Sequence, residues 1–191
     1  MGLLAGIKTC SYVGSSPTNG LDPLGLWSPG GHDALYDYAF NLLLDPTEVA
    51  IIQQESRELY KETGIGTQYA YIHSVRKPLQ SPAAAKAASK NYFYEKLRQA
   101  RNDPDREKAL RDFADAAHTI TDYFSPEHTD AQGNPRLWFQ LLFARHSPND
   151  NVGHETVHDI TPRIYQQAMA APIAAYNQAF GNATSGGCGC Q

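Results

Sequence analysis

The sequence predicts an all-α domain, on three observations. Apolar residues recur at helical spacing over most of the chain beyond residue 31, no alternating strand pattern of any length occurs, and Pro and Gly fall between the periodic segments. Residues 1–31 are rich in Gly and Pro and carry no helical period, so the clearest boundary lies where they end. From Asp33, "DALYDYAFNLLL" sets Leu35, Tyr38, Ala39 and Leu42 on one stripe. "DPTEVAIIQQESRELYKETG" follows with Pro at a first-turn position and Gly64 as a stop, so the two segments read as consecutive helices. A looser stretch, "IGTQYAYIHSVRKPLQSP", leads to the Ala-rich amphipathic "AAAKAASKNYFYEKLRQARND". After "NDPDREKA", the segment "LRDFADAAHTITDYF" runs into "SPEHTDAQGNP", where Pro126, Gly133 and Pro135 break it. Further helices are expected in "RLWFQLLFARH" and in "HETVHDITPRIYQQAMAAPIAAYNQAF", the last kinked or divided by Pro162 and Pro172. The sum is a bundle of roughly six to eight helices, whose sites are built from side chains projecting inward from facing helices.

With 191 residues the chain suits one domain able to bury its own core. A hydrophobic content of 41%, a charged content of 19% and a net charge of −4 argue against a broad nucleic-acid-binding surface. Cys10, Cys188 and Cys190 lie near the ends, away from any central cluster, and the last two sit in the flexible-looking tail 181–191. No window reaches the roughly 18 apolar residues of a membrane span, and "MGLLAGIKTC" makes a poor signal peptide.

The chemistry is concentrated in seven histidines. In "AHTITDYFSPEH", His118 and Asp122 stand four apart on one helical face, and His128 follows just beyond the Ser125-Pro126 break, where the chain can turn back. Two imidazoles and a carboxylate converging on one pocket suit a divalent transition metal, zinc above all. "GHETVHD" repeats the spacing with His154 and His158, while Glu155 and Asp159 share an adjacent stripe. His73 in "YIHSVRK" and His32 at a helix start complete the candidates; His146 reads as an ordinary surface or core histidine. Metal-bound imidazoles need acceptors for their second ring nitrogens, a role open to Asp115, Asp122 and Glu155.

"FADAAHTITDYFSPEH" resembles the segment of the zinc-dependent phospholipase C superfamily in which a histidine, an aspartate four on and a histidine six further on bind metal. That superfamily includes single-strand-specific three-zinc nucleases. The resemblance extends over about residues 27–165 and implies an all-α fold with up to three zinc ions. It further implies His118 and His128 as ligands, Asp122 as a bridging ligand, His73 and His32 as further ligands, and His154 with a partner four residues on. The residue there is His158, where the family has a glutamate, so either His158 replaces the carboxylate or Glu155 and Asp159 take part in a shifted register. The family also carries an aspartate ahead of the His73 position, a ligand and proposed general base. "QQESRELYKETG" offers only glutamates, so Glu55 and Glu58 join Asp122 as catalytic candidates.

"YVGSSPTNGLDPLGLW" resembles the end of the RHS-repeat shell of bacterial polymorphic toxins, where a "DPLGL"-like motif separates a cage from its toxic C-terminal domain. The resemblance implies a shell remnant over 1–26 and a toxin domain over 27–180, released by cleavage before Trp27. In the phospholipase C family an N-terminal tryptophan binds zinc through its backbone amine and carbonyl, so Trp27 becomes a ligand only once the chain is cut. The implied partners are the RHS shell before release and a cognate immunity protein, with delivery into a target cell by a contact-dependent secretion system. The expected activity is hydrolysis of phosphodiesters, phospholipids first, with "RLWFQLLF" and its Trp138 and Phe139 as a candidate apolar rim for a membrane surface. A nuclease toxin, and a non-enzymatic toxin or interaction module with a structural zinc, are the alternatives.

Overall fold

The computed structural model describes residues 29–63, 67–125, 128–138 and 162–181. Among the described residues the chain is all-α: five helices, one short 3₁₀ turn and no strand. The helices are α1 (Pro29–Phe40), α2 (Pro46–Thr63), α3 (Pro82–Asn102), α4 (Arg106–Tyr123) and α5 (Pro162–Phe180), with the 3₁₀ turn at Thr67–Tyr69. The segments 1–28 and 182–191, the helix expected around "RLWFQLLFARH" beyond Trp138, and His146, His154 and His158 lie outside the described residues.

Local chemistry sets the helix starts. Asp45 Oδ1 accepts from the backbone N–H of Thr47 (2.9 Å) and Glu48 (3.1 Å) ahead of α2. Ser81 accepts from Ala84 N–H at the head of α3, and Asp105 accepts from Glu107 and Lys108 at the head of α4. Each cap satisfies donors that the first turn leaves orphaned. Pro46 and Pro82 open α2 and α3, where a missing N–H costs nothing.

α4 is the centre of the bundle, packed against α2, α3 and α5. Every residue from Phe113 to Thr119 is buried, because "FADAAHT" alternates bulk with alanines that let neighbouring helices approach from several sides. The main core gathers Tyr36 and Phe40 of α1, Val49 and Ile52 of α2, Leu97 of α3, Leu110 and Phe113 of α4, and Ala175 and Ala179 of α5. Truncating Phe113 would cost about 3–5 kcal/mol by the usual large-to-small rule.

Three expectations need correction. α1 starts at Pro29, four residues before Asp33, and its buried side is His32, Leu35, Tyr36, Ala39 and Phe40. Tyr38 and Leu42 are exposed at 39% and 93%, so the true apolar stripe is rotated by about one residue from the expected one. α5 runs unbroken through Pro172, which lies inside it. Finally, residues 136–138 are extended rather than helical: Arg76 N–H donates to Arg136 C=O (2.8 Å) and Trp138 N–H to Arg76 C=O (2.9 Å).

Candidate metal centre

Four histidines surround Asp122 in the interior of the bundle. His118 and Asp122 come from α4, where their spacing puts both on the face turned toward α1 and α2. His32 comes from the first turns of α1, carried inward by the burial of Leu35, Tyr36 and Phe40 beside it. His73 lies on the loop after α2. The next residue, Ser74, takes φ +53°, a left-handed conformation, and its Oγ donates to Thr119 C=O at 2.8 Å. A non-glycine residue there costs of order 1 kcal/mol, and the tie to α4 holds it. His128 returns to the cluster through the turn after α4, in which His128 N–H and Thr129 N–H both donate to Ser125 C=O (3.1 and 2.9 Å).

The two carboxylate oxygens divide the histidines between them. His32 Nε2 lies 3.1 Å from Oδ1. His73 Nδ1 (3.0 Å), His118 Nε2 (3.3 Å) and His128 Nδ1 (3.5 Å) all face Oδ2. His73 Nδ1 and His118 Nε2 are themselves 3.1 Å apart. His32, His73, His118 and Asp122 are buried, whereas the His128 side chain is 20% exposed. Stacking of His32 on His118 (centroids 4.2 Å apart) and of Trp138 against His73 (5.5 Å) closes the walls.

Hydroxyl groups stand behind three of the rings. Thr63 Oγ1 donates its only proton to Leu59 C=O, so it accepts from His73 Nε2–H at 2.8 Å. Thr121 Oγ1 likewise donates to the carbonyls of Ala117 and His118 (2.9 Å each), so it accepts from His32 Nδ1–H at 3.0 Å. Ser56 Oγ lies 2.9 Å from His118 Nδ1. In His73 and His32 a ring proton is thereby fixed on the outer nitrogen, and in a neutral His73 the bare lone pair of Nδ1 faces the Asp122 carboxylate. Two acceptors at such a distance repel unless a cation lies between them.

Burial holds His73 below the ordinary histidine value against the pull of Asp122, and burial does the same to His118, which keeps both rings neutral. Burial raises the Asp122 carboxyl, but the electrostatic and hydrogen-bonding influence of the neighbouring His128 and His118 rings outweighs it and holds the group well below the usual carboxylate range. Neutral imidazoles around an ionised carboxylate are the protonation state that metal ligation requires. The buried group of His32, His118 and Asp122 can hold a metal ion, its ligand atoms all within 4.8 Å of one another.

Other candidates lie elsewhere. Glu55 pairs with Arg111 at 2.8 Å, and Glu58 reaches the same guanidinium at 3.9 Å. Arg111 is seven residues before His118 on α4, about 10 Å along the helix, so neither glutamate joins the cluster. The α2 side chains that reach it are Thr63 and Ser56, the latter one residue from Glu55 and therefore on a different face. Asp115 is held by Lys96 (2.8 Å), so the expected outer-shell carboxylate gives way to the three hydroxyls. Trp138 is buried against His73, Ala70 and Val75 and forms no exposed rim; Phe139, Trp27 and Glu155 lie outside the described residues. The hydroxyls had a signal in the sequence: Ser56 and Thr63 interrupt the buried stripe Ile52, Ser56, Leu59, Thr63 of α2, where apolar residues would pack as well.

No known protein family, curated protein or solved structure matches the chain.

Proposed function

We propose that this domain is a zinc-dependent phosphodiester hydrolase of the phospholipase C type, with phospholipids as its substrates. The observation that carries the reading is the donor geometry. Zinc–nitrogen bonds of about 2.0–2.1 Å place tetrahedral ligands about 3.3 Å apart. The separations among His73 Nδ1, His118 Nε2 and Asp122 Oδ2 are 3.0, 3.1 and 3.3 Å, matching one face of such a tetrahedron. His128 approaches the same carboxylate oxygen, while His32 sits on the other, so Asp122 is suited to bridge two ions. His154, His158 and Trp27 remain candidates for a third.

Bound zinc would polarise a phosphoryl oxygen and neutralise charge on the leaving oxygen. The chain's own residues hold and orient: Thr63 and Thr121 keep the protons of His73 and His32 on the outer nitrogens, and buried Trp138 with half-buried Tyr60 screens the His73 side from bulk water. The exposure of His128 supports entry of the phosphodiester from its side.

In this reading the "DPLGLW" segment marks release from an RHS shell, and the domain acts as a toxin in a target cell, opposed by an immunity protein. The test is metal content by mass spectrometry with parallel assays on phosphatidylcholine vesicles and single-stranded DNA. Zinc-dependent release of the phospholipid headgroup is expected. Cleavage of DNA alone would replace the substrate with nucleic acid, and one tightly held zinc with neither activity would defeat the enzyme reading.

A further inference from the structure

We propose that the cavity between α3 and α4 is a second binding site, which takes a small aromatic carboxylate. The cavity holds about 210 Å³. An apolar cavity of about 150 Å³ accommodates benzene, so this one has room for a single ring bearing a substituent. Phe93, Tyr94 and Tyr123 supply aromatic walls, matching a flat ring.

The charged side chains that line the cavity, among the described residues, are both cations. Lys86 and Lys90 line it one helical turn apart, with Lys86 Nζ 5.4 Å from the centroid of Tyr123 and Lys90 Nζ 5.8 Å from that of Tyr94. Among the described residues no carboxylate lines the cavity and neither ammonium has a carboxylate partner. Between the two lysines on α3 sits Ser89, only 6% exposed, whose Oγ has no hydrogen-bond partner. A buried hydroxyl left unpaired in this way costs about 1–3 kcal/mol, and a ligand oxygen entering the cavity would satisfy it. Two cations at the mouth, an unsatisfied hydroxyl inside and aromatic walls together specify an anionic head on an apolar ring.

The site is separate from the histidine cluster but shares a wall with it. Ser74 and Thr119 line the cavity, and each directly follows a histidine of the cluster, His73 and His118.

The experiment titrates benzoate into the full-length protein by ligand-observed NMR, with benzyl alcohol as the neutral control and hexanoate as the non-aromatic one. Benzoate should bind in the millimolar range or tighter, and at least tenfold more tightly than either control. The exposed pair K86Q/K90Q should weaken benzoate at least tenfold, and S89L should block it by filling the cavity. A carboxylate can also ligate a metal, so the titration is repeated after chelation with EDTA. Binding that vanishes on chelation yet persists in K86Q/K90Q belongs to the histidine cluster and overturns the proposal. Equal binding of benzyl alcohol, a preference for hexanoate, or no binding to the unaltered protein also overturns it. Because K86Q and K90Q are surface changes, the outcome stands even if S89L fails to fold. None of these readings depends on whether the domain hydrolyses phosphodiesters.

Discussion

Thr63→Val tests the metal centre through a residue that touches no ion. Valine keeps the shape of threonine but removes the hydroxyl that accepts from His73 Nε2–H. Thr63 is 5% exposed and His73 2%, so water gains little access to replace it. Two outcomes are open to the ring, and both weaken metal binding. If the proton stays on Nε2, a buried donor is left unsatisfied at a cost of about 1–3 kcal/mol. If it moves to Nδ1, the lone pair aimed at Asp122 and His118 is lost. Outer-shell changes of this kind usually lower metal affinity 10–100-fold, or about 1.4–2.8 kcal/mol, which agrees with the cost of the stranded donor. The assay is competition for zinc against a fluorescent chelator at pH 7.5, with thermal melts of the metal-free protein alongside. Thr63→Ser, which keeps the acceptor, should recover most of the affinity. A Thr63→Val protein that melts lower when metal-free yet binds zinc within twofold of the original would refute the orienting role. The hydroxyl would then serve packing alone.

Asp122→Asn should remove zinc binding altogether at micromolar metal, because the amide nitrogen cannot ligate and the negative charge shared by four histidines is gone. Retention of stoichiometric zinc by mass spectrometry would exclude the carboxylate from the centre. Acidification should destabilise the fold. Burial depresses His73 and His118 below their ordinary value of 6.5, so the unfolded chain takes up these protons first and stability falls once pH drops below that value. Asp122, also depressed, contributes stability that is lost further down, below its ordinary 3.8. A melting temperature that stays flat between pH 7.5 and 5, with or without EDTA, would contradict this. Gly133→Ala should cost about 2 kcal/mol for placing an alanine in left-handed backbone, with an added collision against the Tyr123 hydroxyl. At this chain length that is a fall of about 4–8 °C in melting temperature, and an unchanged melt would refute the conformational requirement at φ +71°.

Local signals in the sequence accounted for the helices, since caps, first-turn prolines and helical period act within a few residues. Asp45-Pro46 and Ser81-Pro82 mark where α2 and α3 begin, and the break after Phe124 ends α4 close to where Ser125-Pro126 indicated. The His118–Asp122 pairing was legible for the same reason: one helical turn fixes the relation of two side chains whatever surrounds them. The orientation of α1 was not legible, because its buried stripe contains a histidine and two aromatics that hydropathy alone does not rank above Tyr38 and Leu42.

The sequence by itself therefore determined an all-α architecture for the described residues, with a histidine and an aspartate on one face of α4. Only the tertiary structure decided that His32, His73 and His128 meet that pair, that Ser56, Thr63 and Thr121 stand behind the rings, and that Glu55 and Glu58 turn to Arg111 instead. The physical reason is distance along the chain. His32 and Thr121 are 89 residues apart, and Ser56 and His118 are 62 apart. Contacts at that separation are set by how helices pack around the small residues of α4, which no local rule encodes.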